Sequence, residues 1–205
     1  MNSLITKKKI KKNIVLAFAG KIGSGKTVMA KLFEIRYPKI KRISYSSQIS
    51  RVAGAIWGEK MKKNRKLLQK IGQISQYTTP HLWDKLIHDE MVKLKINSYI
   101  IDGLRYESNF KWCEKNNIPI FYFDIENDIR HKNIKKRGAL MDLKCLDHPG
   151  ELAIERCKSY ATWIYKSDCI TPPYEIVDKI LDSFGVDAKQ RVKWDKLKVD
   201  TLFNS

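Results

Sequence analysis

Eight residues, Gly20-Lys21-Ile22-Gly23-Ser24-Gly25-Lys26-Thr27, constrain this chain more than any other part of it. They follow an apolar run at 14–19 and precede a segment, 27–37, whose apolar spacing is helical. Glycine at 20, 23 and 25 opens torsions closed to other residues, so successive backbone N–H groups can turn toward one centre. The helix that follows adds unpaired donors and the positive end of its dipole. Strand, glycine loop and helix in this order satisfy the G-x-x-x-x-G-K-[ST] pattern in the setting it requires. The chemistry implied is that of a phosphate cradle. Gly20, Gly23, Ser24, Gly25, Lys26 and Thr27 surround a nucleotide polyphosphate, with Lys26 reaching the β- and γ-phosphates and the Thr27 hydroxyl on Mg²⁺.

The rest of the chain alternates strand and helix signals. Strands are expected at 14–19, 40–45, 98–101 and 118–123, with a short last one at 168–170. Helices are expected at 27–37, 49–57, 64–76, from Pro80 to about Leu94, and at 107–116, 126–137, 151–164 and 173–183. Residues 138–150 have little periodicity and read as a mobile connection. Alternation of this kind predicts a largely parallel sheet with crossover helices, in an α/β fold. No internal repeat or linker divides it, so residues 1–205 read as one domain. After Gly185, Lys189, Arg191, Lys193, Lys196 and Lys198 interleave with Val192, Trp194, Leu197 and Val199. This end reads either as an amphipathic appendage or as a loose basic tail.

Composition narrows the class. A chain of 205 residues with 43% hydrophobic and 30% charged residues can bury a real core and is not disordered. No apolar run approaches the roughly 18 residues of a membrane span. The basic stretch 1–13 leads into a strand without a small-residue cleavage site, and the cysteines (113, 145, 157 and 169) form no C-x-x-C pair. A cytoplasmic location, or a host cytoplasm for a viral chain, is the expectation, with no membrane partner. Forty Lys and Arg against 22 Asp and Glu give a net charge of +18, which suits phosphorylated small molecules and leaves nucleic acid open as a partner.

Two further constellations carry chemistry. Ile100-Ile101-Asp102-Gly103-Leu104-Arg105 puts an acid at the carboxyl end of a buried strand, where parallel sheets present ligands. Asp102 there could hold Mg²⁺ or orient Arg105, and Arg105 offers a bidentate fork for a phosphoryl group. Arg130 and Arg137 stand about two helical turns apart and share a face, so both are candidates to neutralise phosphate charge from a closing segment.

On these residues the chain resembles a P-loop kinase of the nucleoside monophosphate kinase group. Within it, the chain is most similar to phage-type deoxynucleoside monophosphate kinases and their dephospho-CoA kinase-like relatives, over about residues 14–180. The resemblance implies a three-layer P-loop fold with a largely parallel five-stranded sheet. It also implies a helical acceptor-binding region at about 45–96, a short lid at about 130–150 and a basic tail at 186–205. It makes ATP the donor and a small nucleotide the acceptor, and leaves monomer and homodimer both open. Leu67-Leu68-Gln69-Lys70-Ile71-Gly72 resembles the family's acceptor-site helix, Trp83 falls where an aromatic often follows, and Asp147-His148-Pro149-Gly150-Glu151 resembles the segment after the lid arginines. The chain departs from the pattern at Ser44-Tyr45-Ser46-Ser47-Gln48, where an Asp is usual, at Thr171-Pro172-Pro173, where an Asn is usual, and at Asn133, where a lid arginine is usual.

An acceptor that is already a phosphate needs little base catalysis, whereas an alcohol profits from a nearby carboxylate. The absence of Asp and Glu from 44–49 therefore favours a (deoxy)nucleoside monophosphate. Arg51, Arg65, Gln69 and Arg105 are candidate contacts to its phosphate and base, and Tyr45 and Trp83 candidates to stack on the base, although core packing is the commoner fate for Trp83, which falls on the apolar side of its helix. Two alternatives stay open: a kinase acting on a hydroxyl, either of dephospho-CoA or of a modified base in DNA such as 5-hydroxymethyluracil, and a non-kinase P-loop ATPase.

Overall fold

The computed structural model describes residues 13–95, 97–138, 143, 146, 149–166 and 172–204. Five strands, β1 (Val15–Gly20), β2 (Ile40–Ser44), β3 (Ser98–Leu104), β4 (Ile120–Asp124) and β5 (Trp163–Lys166), form one sheet in the order β2-β3-β1-β4-β5. Every pairing is parallel. β1 and β3 are covered on both faces, which is why they read as unbroken apolar runs. Successive β1 residues still serve opposite layers: Leu16 and Phe18 face one core, Ala17 and Ala19 the other.

The first core is closed by α1 (Lys26–Arg36) and α8 (Pro173–Ser183) and is rich in aromatics, with Phe18 packed edge-on against Phe33 and Phe123. The second is closed by α2 (Tyr45–Trp57), α4 (Leu82–Leu94), α5 (Glu107–Lys115) and α7 (Pro149–Arg156), with Trp83, Ile87, Phe110 and Ile154 buried in it. α3 (Arg65–Thr78) lies between α2 and α4, capped by Asn64, whose Oδ1 accepts from Leu67 N at 3.1 Å. α6 (Asn127–Lys136) follows β4. The layering is helix, sheet, helix, as the alternating signals predict.

Four differences from the sequence reading have physical causes. α2 begins at Tyr45, four residues early, because Tyr45 is pinned in the core and its serine-rich first turn is held by Ser47 Oγ donating to Ser44 O. Tertiary anchoring there outweighs weak helix propensity. The expected helix 151–164 ends at Arg156, and a 3₁₀ turn at Cys157–Tyr160 swings the chain onto β4. The fifth strand is consequently Trp163–Lys166, docked by Thr162 N donating to Ile120 O at 2.9 Å. It is an edge strand with Trp163 and Ile164 exposed, so it lacks the alternation that marks a half-buried strand. The expected strand 168–170 lies outside the described residues, as do Asp147, His148, Thr171, Cys145 and Cys169. Finally, the basic end is an appendage that packs on the domain. A helix, α9 (Lys196–Asn204), buries Val199 against the first core. Among the described residues no helix is long and apolar enough to cross a membrane.

Candidate active site

β1 sits between β3 and β4, and the chain leaves it toward β2 before crossing back to β4. A crevice opens at such a reversal, at the carboxyl ends of the strands. The loop Gly20–Gly25 fills that position and leads directly into α1. Its glycines are stereochemically required. Gly23 has φ +80°, and a Cβ there would lie 2.7 Å from Arg130 O; Gly20 has φ +140°, with a Cβ 2.7 Å from Phe123 O. α1 starts without a side-chain cap or an acidic residue in its first turn, so its amino end stays a donor site for an anion.

The Lys26 ammonium lies within the loop, donating to Gly20 O at 2.6 Å, Lys21 O at 2.8 Å and Ser24 Oγ at 3.0 Å. Removal from water lowers its pKa from 10.5 to about 8, and Arg105 and Arg130 add to the fall while Asp102 and Glu151 oppose it. The loop is braced from behind by α6. Arg130, 4% exposed, donates from Nε to Ile22 O at 2.8 Å, and Asn133 Nδ2 donates to Gly23 O at 2.9 Å. Asn133, where the resemblance leads one to expect an arginine, thus serves the loop backbone.

A cavity of about 580 Å³ runs along this loop. On the β2 and β3 side it is lined by Arg42, Ser44, Ser46, Arg65, Asp102, Gly103 and Arg105. On the β4 and β5 side it is lined by Phe123, Ile125, Ile129, Tyr165, Pro173 and Leu202, with Asn133, Lys136 and Arg137 above. Gly103 is an extra residue in β3: Phe18 pairs with Asp102 but Ala19 with Leu104, and Gly103 takes φ +89°. This bulge turns the strand end over the cavity, which delivers Asp102 and Arg105 to one site.

Asp102 is 3% exposed. Its Oδ2 accepts from Arg42 Nε at 2.8 Å and also pairs with Arg42 Nη2 at 2.7 Å. Its Oδ1 is buried with no hydrogen-bond partner among the described residues. A carboxylate oxygen left in that state, with Thr27 lining the same cavity, offers hard oxygen donors of the kind that fit Mg²⁺. Arg105 is oriented by Glu151: Arg105 Nη1 donates to Glu151 Oε1, while Glu151 Oε2 accepts from Ile22 N at 2.7 Å. Burial alone would raise the Glu151 pKa, but Arg105, Ile22 N–H and Lys26 outweigh it and hold the carboxyl below its ordinary range. One buried carboxylate therefore ties the loop to the arginine across the crevice.

The structure brings together Lys26, Thr27, Asp102, Arg105, Arg65 and Arg137 from the sequence candidates. Others lie elsewhere. Tyr45 is a core residue, its hydroxyl donating to Asp84 Oδ1 at 2.8 Å, because the strand end turns it inward. Trp83 is 2% exposed and donates its indole N–H to Ser75 Oγ. Arg51 turns from the cavity to an ion pair with Glu90 at 3.2 Å. Gln69 is half-buried on α3 and does not line the cavity. Arg130 braces Ile22 and does not face the cavity. Arg42 was not among the sequence candidates: it stands in the middle of a β-strand, and only the parallel register Ser44 opposite Asp102 shows that its fork meets that carboxylate. Asn109 escaped notice too. Its Oδ1 accepts from Arg105 N at 3.4 Å and Tyr106 N at 3.2 Å, and its Nδ2 donates to buried Asp84 at 2.9 Å. An asparagine at the third position of a helix following Arg-Tyr was the available signal.

No family model matches the sequence. A protein of Ictalurid herpesvirus 1 (strain Auburn), described as uncharacterized protein ORF76, is 29% identical over 104 residues, which are 48% of this chain and 42% of that protein. The chain spans less than half the length of that relative. TT1252 from Thermus thermophilus superposes with a TM-score of 0.53 at 15% identity, over 84% of this chain and 96% of that one. Shikimate kinase from Bacteroides thetaiotaomicron gives 0.51 at 13% identity, over 84% and 98%. The Deinococcus radiodurans tunicamycin resistance protein gives 0.50 at 10% identity, over 85% and 97%. At such identities the likeness concerns architecture: the chain has the α/β fold of shikimate kinase-like P-loop kinases.

Proposed function

We propose that this protein is an ATP-dependent kinase whose acceptor is a (deoxy)nucleoside monophosphate, giving the diphosphate. The observation that carries the reading is the single cavity joining the phosphate loop to Arg42, Arg65 and Arg105. Three guanidinium groups on the β2 and β3 side form a site for an acceptor that already bears negative charge. A phosphate acceptor needs no proton removed before it attacks, so the site can work by positioning and charge neutralisation alone. Asp102 fits this division, because one of its oxygens is taken by Arg42 and the other, buried without a hydrogen-bond partner among the described residues, is left for a metal ion.

In this reading Gly20–Thr27 holds the donor polyphosphate, and Lys26 leaves its carbonyl partners for the transferred group. Thr27 and Asp102 would hold Mg²⁺, which supplies charge neutralisation on the phosphate oxygens when bound. Arg105, set by Glu151, faces the phosphate in transfer, and Arg137 approaches from the lid side. Transfer to a hydroxyl is the second reading, favoured by one observation: Asp102 Oδ1, without a hydrogen-bond partner among the described residues, has the lone pair that a general base needs. Product formation from γ-labelled ATP and Mg²⁺ separates the readings. The acceptors would be ribo- and deoxynucleoside monophosphates, dephospho-CoA, and plain and hydroxymethylated duplex DNA. Label in a nucleoside diphosphate is expected. Label confined to DNA or CoA makes Asp102 a general base, and phosphate release without any acceptor makes the protein an ATPase.

A further inference from the structure

The carboxyl-terminal segment is held far more firmly than a solubilising tail requires. Asp178 on α8 receives Arg36 Nε at 2.7 Å, Arg191 Nη1 at 3.2 Å and the Trp194 indole N–H at 2.9 Å. The Arg36 guanidinium also stacks 5.2 Å from the Trp194 ring centroid, and Val192 N donates to Arg36 O at 2.9 Å. Arg191 further bonds Asp182 and Val186 O. This latch runs between α1, the helix of the phosphate loop, and α8, whose first residue Pro173 lines the cavity. It steers α9 so that Val199 seats in the core and Leu202, one turn on, reaches the cavity wall. There Leu202 joins Phe123, Ile125 and Tyr165, with which it shares the first core, and Ile129 and Pro173, away from Arg42 and Arg105 on the β2 and β3 side of β1.

We infer that the carboxyl-terminal helix is part of the donor-nucleotide site, with Leu202 closing the apolar end against the base of the nucleotide. This rests on the nucleotide-binding reading above. The phosphate loop fixes the polyphosphate at α1, and the strand order leaves two directions for the rest of the ligand. The β2–β3 direction is lined by arginines, serines and Asp102, which suit phosphate and ribose oxygens. The β4–β5 direction is lined by aromatic and aliphatic side chains beneath Asn133, Lys136 and Arg137, and that apolar wall suits the flat face of a base. The base and Leu202 are thus on one side, and the Asp178 latch fixes the approach.

Calorimetric titration of the full chain with ATP and, separately, with inorganic tripolyphosphate tests this, because the second probe has the phosphates without the base. Replacing Leu202 by Ala is expected to weaken ATP about three- to tenfold, as for loss of a partly buried aliphatic contact, with tripolyphosphate unchanged. Leu202→Met, nearly equal in volume, is expected to keep both affinities, and its thermal midpoint guards against a folding artefact. Equal weakening of both probes by Leu202→Ala, or no weakening of ATP, overturns the inference. Wild-type protein that binds neither probe overturns the nucleotide reading itself, and this inference with it.

Discussion

The ammonium of Lys26 is enclosed by the carbonyls of Gly20 and Lys21 and the hydroxyl of Ser24, at the cost of its hydration. That desolvation brings its pKa from 10.5 to about 8 in the ligand-free protein. Phosphate oxygens in contact with it favour the charged form and return the pKa to the ordinary lysine range. ATP binding is then coupled to proton uptake that approaches one proton between pH 8 and 10.5. Taking 8 and 10.5 as the two values, the dissociation constant for ATP rises about tenfold from pH 7 to pH 9. With ATP supplied as its Mg²⁺ complex the phosphate oxygens are fully ionised across that interval, so the slope belongs to the protein. Calorimetry in two buffers of different ionisation enthalpy, at pH 7 and pH 9, reads affinity and proton uptake together.

Lys26→Met is the control: it binds ATP weakly at both pH values and loses the slope. The same shift acts on folding with the opposite sign. Between pH 8 and 10.5 the unfolded chain holds a proton at Lys26 that the native chain has released, so this group's contribution to stability improves as pH rises through that window. Below pH 8 the charged group costs the native state about 3 kcal/mol, which Lys26→Met removes. An ATP affinity flat from pH 7 to 9 in wild type, or an equal slope in Lys26→Met, refutes the assignment.

Glu151→Gln keeps the shape but loses the charge that orients Arg105 at a side chain about a third exposed; it is expected to cost about 1–2 kcal/mol of stability and to lower kcat more than it raises the KM for ATP, read by denaturant titration and steady-state kinetics. Arg130→Met leaves Ile22 O without its donor inside the protein, so about 2–3 kcal/mol of stability and some tripolyphosphate affinity should be lost while the acceptor KM holds; a fall in kcat at unchanged stability would instead make Arg130 a phosphate ligand. Asp102→Asn can still accept from Arg42 and should fold normally, but the Mg²⁺ concentration for half-maximal rate should rise about tenfold or more, the equivalent of at least 1.4 kcal/mol. An unchanged Mg²⁺ requirement in that variant sinks the metal assignment.

The phosphate loop was legible because everything it needs is contiguous: an apolar strand, glycines at three fixed positions, Lys26, Thr27 and a helix. Strands β1, β3 and β4 were legible for a related reason, since a strand buried on both faces is an unbroken apolar run whatever surrounds it, whereas β2, Ile-Lys-Arg-Ile-Ser at one edge, gave a weaker signal. β5 was not, because it is a four-residue edge strand that draws its hydrogen bonds from β4 and leaves most of its side chains exposed, with Tyr165 alone half-buried, and that makes no local pattern. Tyr45 was legible as aromatic but not as a core residue, and Trp83 as a residue of an apolar helix face but not with the partner it finds there. Their burial depends on polar partners, Asp84 and Ser75, which only the packing of α2 against α4 and of α3 against α4 supplies.

The same distinction decides what Asp102 can do. Its position at the end of a buried strand is a local fact, and sequence placed it in the site. Its pairing is not local: Arg42 is 60 residues away, and the two meet because Ser44 and Asp102 stand opposite in register. An aspartate with both oxygens open could serve equally as metal ligand or as base for a hydroxyl. With Oδ2 held by Arg42 in a two-point fork, one oxygen remains, and a bound metal ion and a substrate proton cannot both use it in the same way. An arginine in that place also brings positive charge to the acceptor side, where a neutral alcohol gains little and a phosphate gains much. On the proposed function, the pair would therefore link metal site and acceptor choice. Releasing the fork with Arg42→Met should weaken a monophosphate acceptor while freeing Asp102 Oδ2, and improved use of an alcohol acceptor by that variant would show the fork to be the element that selects between them.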